Sequence, residues 1–327
     1  MMPSGASGPP FFVVGSARSG TTLLRLMLNA HPDVAVPPES RFITELYTEE
    51  EVDAEATLRA LGDHHRFGAW ELSLDDVRRE LGRTGTVRFV DVISAAYRAY
   101  TKAHGKTRWG DKTPRYVEHI PLISGLFPDA RFVHLVRDGR NVALSYADVP
   151  FGPKTVGQVA ELWGGRVAAG IAAGRRLGGD RYLEVRYERL TEAGQTESQL
   201  QELCDFLLLP FDPKMLEYTE QARSAVLDRA TQYNPHIKEG VRSHVRSWES
   251  SMPDEHIEIF EAVAGEVLSQ LGYERRFPHP GRMARAKGAL SKLGIRAGGL
   301  HRSREAESSP REPALAAEED DGPRGRS

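Results

Sequence analysis

Apolar positions along the chain follow two rhythms, short unbroken runs and helical repeats, in alternation. FFVVG at 11–15 is an unbroken apolar run of strand length, reached after a leader rich in Gly, Pro and Ser. SARSGTT follows, and then Leu23, Leu24, Met27 and Leu28 recur at helical spacing, so the opening predicts strand, glycine-bearing turn, helix. Pro37–Pro38 hold an extended entry to residues 40–104, which read as mainly helical (ESRFITELYTEE, VDAEATLRALGDHH, LSLDDVRRELG, VRFVDVISAAYRAYTKAHG). RWGDK at 108–112 reads as a strand end, and Pro114 suits the first turn of a helix running on through RYVEHIPLISGLF. Phe132 to Val136 form a further continuous apolar strand, with a helix opening at Asp138. Val156, Val159, Trp163, Val167 and Ile171 mark one side of a long helix over 155–177. RYLEVRYERL predicts a strand running into a helix that continues as SQLQELCDFLLL, and 254–272 reads as a last amphipathic helix.

Strands alternating with helices predict an α/β fold with a central, mostly parallel sheet flanked by helices in three layers, and a helical insert over about 42–104 after the first strand–helix unit. Four strands are visible (11–15, 107–110, 131–136, 181–186), leaving room for a fifth in the gaps. The expected organisation is a flexible leader over 1–10, one domain over 11–277, and a basic then disordered tail over 278–327. Residues 281–304 hold seven Lys/Arg and no acid, which fits a solvated tail or an amphipathic segment in weak contact with an anionic membrane surface.

Composition narrows the function classes. With 40% hydrophobic and 27% charged residues the 327-residue chain is ordinary globular material, and a net charge of -3 gives no reason to expect a nucleic-acid polymer as partner. A single cysteine, Cys204, leaves no internal disulfide and no cysteine-based zinc site. The start MMPSGASGPP lacks a basic n-region, and FFVV is too short for a signal h-region, so a cytoplasmic protein is expected.

The turn after the first strand carries the first chemistry. Gly15-Ser16-Ala17-Arg18-Ser19-Gly20-Thr21-Thr22 has the frame of a phosphate-binding P-loop between a buried strand and a helix start, where backbone N–H groups and the helix dipole attract an anion. A nucleoside triphosphatase would place Lys at position 21, but Thr stands there and the cation lies inside the loop at Arg18. That arrangement suits a smaller anion held by backbone, hydroxyls and one guanidinium.

The next signal is Leu135-Val136-Arg137-Asp138-Gly139-Arg140-Asn141-Val142-Ala143-Leu144-Ser145, in which Arg137 ends a strand and Ser145 lies two helical turns on. Alone it also fits a salt-bridged strand exit. Joined to a Lys-less phosphate loop, it resembles the superfamily of sulfotransferases that use 3'-phosphoadenosine 5'-phosphosulfate (PAPS). The bacterial and tyrosylprotein branch is the closest in pattern: its RSGTTL…LxAHPxV…E(S/T)R is matched by Arg18 to Leu23, by Ala30-His31-Pro32-Asp33-Val34 and by Glu39-Ser40-Arg41. Residues 11–41 and 108–148 carry the resemblance strongly and 181–190 weakly.

The resemblance implies that Arg18, Ser19, Gly20, Thr21 and Thr22 bind the 5'-phosphosulfate, and that Arg137 and Ser145 bind the 3'-phosphate. Tyr187 is similar to the family residue near the nucleotide and equally suits a core tyrosine at a strand end. Arg242 and Arg246, with Trp248 in VRSHVRSW, fall where relatives close a loop over the 3'-phosphate. Glu39 is implied as general base, with His31 as a rival; a carboxylate there also suits a plain helix start. Lys112 in WGDKTPRY matches the lysine that faces the leaving group, where a fixed ammonium lowers the barrier, and Arg18 shares that role. Arg41 would orient Glu39 or the acceptor.

The implied activity is in-line sulfuryl transfer from PAPS to an acceptor hydroxyl or amine, leaving 3',5'-adenosine bisphosphate and needing no metal. The acceptor expected is a small molecule, a glycan or a lipid, met by 42–104 and 146–166, including Phe151 and Trp163. A P-loop nucleotide kinase and a non-catalytic nucleotide-binding protein stay open as alternatives, and the oligomeric state is undetermined.

Overall fold

A computed structural model describes residues 8–219 and 247–292. Arg242, Arg246 and the tail beyond 292 lie outside the described residues. The chain divides into two compact units, one built from residues up to 136 together with 169–243, the other from 137–168 together with the residues from 244 on.

The first unit opens with β1 (Phe11–Gly15), buried at all five positions, and α1 (Thr21–Ala30). After β2 (Val34–Ala35) come α2 (Phe42–Leu46), β3 (Glu51–Asp53), α3 (Ala54–Asp63), α4 (Leu74–Leu81), β4 (Thr86–Arg88) and α5 (Phe89–Ala103). β5 (Arg108–Lys112), a 3₁₀ turn over Pro114–His119, α6 (Ile120–Leu126) and β6 (Arg131–Val136) complete this run. α7 (Gly139–Ala147) and the first half of α8 (Val156–Leu177) belong to the other unit; the chain then returns for β7 (Tyr182–Arg186), α9 (Tyr187–Thr191) and α10 (Thr196–Leu207).

Five strands form one sheet in the order β2-β5-β1-β6-β7, every neighbouring pair parallel. Parallel neighbours need crossovers, which is why helices alternate with strands in the sequence. Because strand side chains alternate between faces, Phe12 and Val14 point into a core with Leu58, Leu61, Val92, Ile93 and Ile123, from α3, α5 and α6. Phe11 and Val13 point the other way, onto Leu24, Met27 and Leu28 of α1 and Leu200, Leu203 and Cys204 of α10. Sheet between two helical layers is the expected architecture. The fifth strand is Val34–Ala35, two residues long and without a pattern of its own.

The insert is not wholly helical. β3 and β4 pair antiparallel, Val52 opposite Val87, with charged or hydroxyl residues on either side. Each strand offers one apolar residue, too little for a period-2 signal. Asp53 and Ser73 then cap α3 and α4, their side chains accepting from Ala56 N at 2.8 Å and Asp76 N at 3.1 Å.

In the second unit α7 and α8 join α11 (Trp248–Ser251), α12 (Asp254–Gln270) and α13 (Arg282–Lys292). Gly139 lies flat against Trp163 and Phe260, where any Cβ would collide with both rings. Trp163 is fully buried there, so its expected contact with acceptor is replaced by a packing role. The composition shift at 278 does not end the ordered chain: α13 buries Ala284, Gly288 and Ser291, and Ser291 Oγ accepts from Gly157 N at 3.0 Å. Among the described residues no helix is long and apolar enough to cross a membrane.

Candidate active site

Every strand of the sheet hands on to a candidate residue at its C-terminal end, the edge where parallel α/β sheets bind ligands. β1 leads into the loop 16–20; β2 leads, four residues on, to Glu39; β5 ends at Lys112; β6 is followed by Arg137 and β7 by Tyr187. Val13 sits opposite Lys112 and Gly15 opposite Leu135, so the loop leaves the sheet from its centre.

The loop is sharply bent. Arg18 has φ 67 and Gly20 φ 94, and Gly15 adopts φ 154. A left-handed arginine is strained, and such strain persists where the surroundings impose it. The hydroxyls of Ser16 and Ser19 are buried and have no hydrogen-bond partner among the described residues. Buried donors without acceptors at a helix start fit an anion that supplies the missing acceptors. Thr21 is buried and Thr22 half-buried at the first turn of α1. The Tyr187 ring lies directly on Gly20, so a side chain at 20 would strike it. The loop and Tyr187, 167 positions apart in the sequence, are therefore packed against each other.

Glu39 and Lys112 meet in an ion pair, Nζ to Oε1, at 2.6 Å. The lysine is almost fully enclosed, its side chain 2% exposed, whereas Glu39 keeps 24% of its own open. Burial raises the Glu39 pKa, but the Lys112 ammonium beside it, with Arg66 and Arg41 beyond, outweighs that and holds the carboxyl below its ordinary value. Arg41, like Arg18, sits at positive φ (54). Arg66 is a residue that sequence reasoning misses: it comes from the turn after α3, 27 residues from Glu39, with no local signal. Beneath the pair, Ser40 N donates to Thr113 Oγ1 at 3.1 Å, and the Ser40 and Tyr116 hydroxyls bond at 2.7 Å.

His31 loses its place as rival base. It is 1% exposed, with Nδ1 accepting from Asp33 N at 3.1 Å and Nε2 bonded to Pro210 O at 2.9 Å. Both nitrogens are used in closing the end of α1.

Glu45, His64 and His65 place their ligating atoms within 4.8 Å of one another, the spacing of a metal cluster. The hydrogen bonds argue otherwise. His64 Nδ1 accepts from Arg66 N at 3.2 Å, which leaves the proton on Nε2, donated to Glu45 Oε2 at 2.8 Å. A metal on Nε2 would require the opposite tautomer.

In the second unit the RDGR segment divides its labour. Arg140 grips Asp138 through Nε at 3.0 Å and Nη2 at 2.7 Å, reaches Glu261 at 2.6 Å, and stacks on Trp248 at 3.5 Å from the ring centre. Glu261 also accepts from Arg276 N at 3.0 Å and Phe277 N at 2.7 Å. Asp138, Arg140 and Trp248 are thus structural, with Asp138 also capping α7 through Arg140 N at 2.9 Å. Arg137 and Ser145 are half-buried at the start of α7 and two turns along it. The Arg137 carbonyl accepts from Trp163 Nε1 at 3.0 Å, which fixes the backbone where β6 gives way to α7.

Comparison with known proteins identifies the family and the fold. Nodulation protein NoeE of Sinorhizobium fredii is 31% identical over 297 residues, covering 82% of this chain and 67% of its own. Protein-tyrosine sulfotransferase A of Caenorhabditis elegans is 25% identical, covering 82% and 68%. Among solved structures, the sulfotransferase domain of the Synechococcus PCC 7002 olefin synthase superposes with a TM-score of 0.55 at 21% identity, over 84% of this chain and 98% of that one. The sulfotransferase domain from the curacin biosynthetic pathway gives 0.56 at 19%, over 83% and 99%. At such identities these two show a shared fold. The profile of the sulfotransferase family itself matches residues 9–213, a stretch that takes in every candidate from Arg18 to Tyr187, and on that footing the chain belongs to the sulfotransferase family.

Proposed function

We propose that the protein transfers the sulfuryl group of PAPS, in line and without a metal, to the hydroxyl or amine of a small molecule, glycan or lipid. The Glu39–Lys112 pair at the sheet edge that also carries the phosphate loop is the observation that supports this most. Arg18 to Thr22 take the 5'-phosphosulfate, the orphaned Ser19 hydroxyl among them, and Ser16 joins them as a donor that the sequence does not single out. Tyr187 lies against the nucleotide, and Arg137 and Ser145 bind its 3'-phosphate. Arg242 and Arg246, outside the described residues, stay as further ligands of that phosphate.

Glu39 is the general base. Its lowered pKa keeps it ionised near neutral pH but makes it a weak base while Lys112 holds it. Once donor arrives, the phosphate oxygens compete for Lys112, and Glu39 regains basicity as the acceptor's X–H approaches. The acceptor atom attacks sulfur as Glu39 takes its proton; the S–O bond to the phosphate breaks, and Lys112 and Arg18 stabilise the charge left on that oxygen. The cations are supplied by the chain itself.

The basic stretch 281–304 stays a candidate for weak contact with an anionic membrane surface. In its described part Lys287 pairs with Glu255 and Lys292 lies 3.7 Å from Glu161, which weakens its field at a lipid surface.

Thermal denaturation tests the donor site. Saturating 3',5'-adenosine bisphosphate raises the melting temperature if it binds the folded state. A rise with ATP and none with the bisphosphate would overturn the proposal in favour of a kinase. Labelled PAPS offered with pools of phenols, amino sugars and lipids then identifies the acceptor.

A further inference from the structure

Behind the Glu39–Lys112 pair lies a carboxylate that the transfer step does not use. Asp111, the residue before Lys112 on β5, is fully buried. Its Oδ2 accepts from the Tyr97 hydroxyl of α5 at 2.7 Å, while Oδ1 makes no hydrogen bond of good geometry among the described residues. Tyr97 is itself fully buried, its ring stacked on Trp109 at 4.2 Å. Tyr116, Ser40 and Thr113 close the other side, 1% exposed or less. A structural role alone would be served better by an amide or an apolar side chain, because an under-satisfied buried carboxylate is costly.

The charges around it suggest why a carboxylate stands there. Glu39 faces three cations: Lys112, Arg66 and Arg41. Unopposed, they make it a poor base. Asp111 is the other acid in this buried cluster. Resting on the reading of Glu39 as general base, we infer that Asp111 is a positioning residue for the Glu39–Lys112 pair: it locks the end of β5 to α5 through Tyr97 and opposes the cations that surround Glu39.

The titration of Asp111 is consistent with that placement. Burial pushes its pKa up to about 6, against the pull of the Tyr97, Ser40 and Thr113 hydroxyls, and the Glu39 charge adds to the rise. The repulsion is felt wherever both are ionised, so above about pH 6 the Asp111 charge favours a proton on Glu39, while in the lower range where Glu39 itself titrates Asp111 is already neutral. Tyr97 and Tyr116 both have pKa values pushed well above normal by burial and by the Asp111 charge, and so remain neutral donors.

The linkage has a definite sign. A carboxyl whose folded pKa lies above its unfolded value binds more protons when folded, so stability falls as pH rises from the unfolded value to about 6 and is flat beyond. Asp111→Asn keeps the shape and the acceptor for Tyr97 but removes the charge. The full-length variant is expected to melt higher than wild type at pH 8, with the gap closing as pH falls toward ~4, the ordinary range of an aspartate. Carboxyl NMR of ¹³C-aspartate-labelled protein, with Asp111 assigned through Asp111→Asn, is expected to show the Asp111 midpoint, about 6 in wild type, moving down in Glu39→Gln as the repulsion between the two is lost. Tyr97→Phe, which strands the carboxylate, is expected to lose stability at pH 8 and regain it under acid.

An Asp111 midpoint unmoved in Glu39→Gln, or a Tyr97→Phe loss independent of pH, would overturn the inference, as would an Asp111→Asn protein that melts lower than wild type at pH 8. The bisphosphate melting shift is read separately on both proteins. If it is absent from wild type, the sulfotransferase donor site is at fault, and the Asp111 titration still decides the part played by Asp111.

Discussion

Two buried arginine or lysine clusters in this chain share a composition and differ in completeness. In the second unit Arg140 meets Asp138 and Glu261, and Glu261 is further satisfied by two backbone N–H groups. All three side chains are closed off, at 1%, 6% and 0% exposure for Arg140, Asp138 and Glu261. In the first unit Lys112 meets Glu39 through one contact, Glu39 stays partly open, and Asp111 behind it is left with an unfilled oxygen. A saturated network can only hold its shape. An unsaturated one can take a ligand, exchange a partner and move a proton, and its deficit in bonding is what a substrate makes good.

Removing the cation from each cluster should separate them most sharply. Arg140→Met leaves Asp138 and Glu261 buried against each other without a counter-charge, and should cost about 3–5 kcal/mol of stability, measured by urea denaturation. Lys112→Met leaves Glu39 with its open edge in water, so the melting temperature should change little. Sulfuryl transfer from labelled PAPS should instead fall on the order of 10²–10³-fold, the loss typical of removing one donor from a site of developing charge. If the two variants exchanged these phenotypes, with Lys112→Met unfolding and Arg140→Met merely slow, the distinction between a closed and an open cluster would be lost.

The sequence shows the open cluster only in part, and the reason is distance. β1, its loop and α1 are legible because a continuous apolar run, two glycines and a helical repeat lie within twenty residues. β6 and the start of α7 are legible for the same reason. Glu39 and Lys112 carry a resemblance, but their contact spans 73 positions and exists only because β2 and β5 are neighbours in the sheet. Arg66 and Asp111 have no local signature at all: Arg66 arrives on a turn of the insert, and Asp111 reads as any acid beside a lysine would. The misread elements fail for want of length or of apolar side chains. β3 and β4 offer one valine each, and α13 buries Ala284, Gly288 and Ser291, which make no apolar stripe. His31 and Trp163 are residue types that allow chemistry, and burial assigns them to packing.

The phosphate loop gives a smaller test of the same contrast. Gly20→Ala adds a methyl to a residue at φ 94 and drives it into the Tyr187 ring, so at least ~1 kcal/mol of stability should be lost. Most of the bisphosphate-induced rise in melting temperature should go with it. Gly20→Ala combined with Tyr187→Ala relieves the collision but not the backbone strain, and should recover only part. Full recovery in the double variant would mean that the ring, and not the turn, sets the loop's shape.

The smallest expected effect is also the most selective. Ser16 and Ser19 bury hydroxyls that no described residue satisfies. An unpaired buried hydroxyl destabilises the fold that contains it, so Ser16→Ala and Ser19→Ala should leave the ligand-free protein as stable as wild type, or more stable by up to ~1 kcal/mol. With the bisphosphate present the order should reverse. Each hydroxyl lost removes one hydrogen bond to a charged acceptor, worth ~1.5 kcal/mol or about tenfold in affinity, readable by isothermal titration. Opposite signs with and without ligand are the mark of a donor held ready for an anion. Should either serine variant melt lower when empty and bind the bisphosphate unchanged, that hydroxyl belongs to the core and the loop has one fewer hand on its ligand.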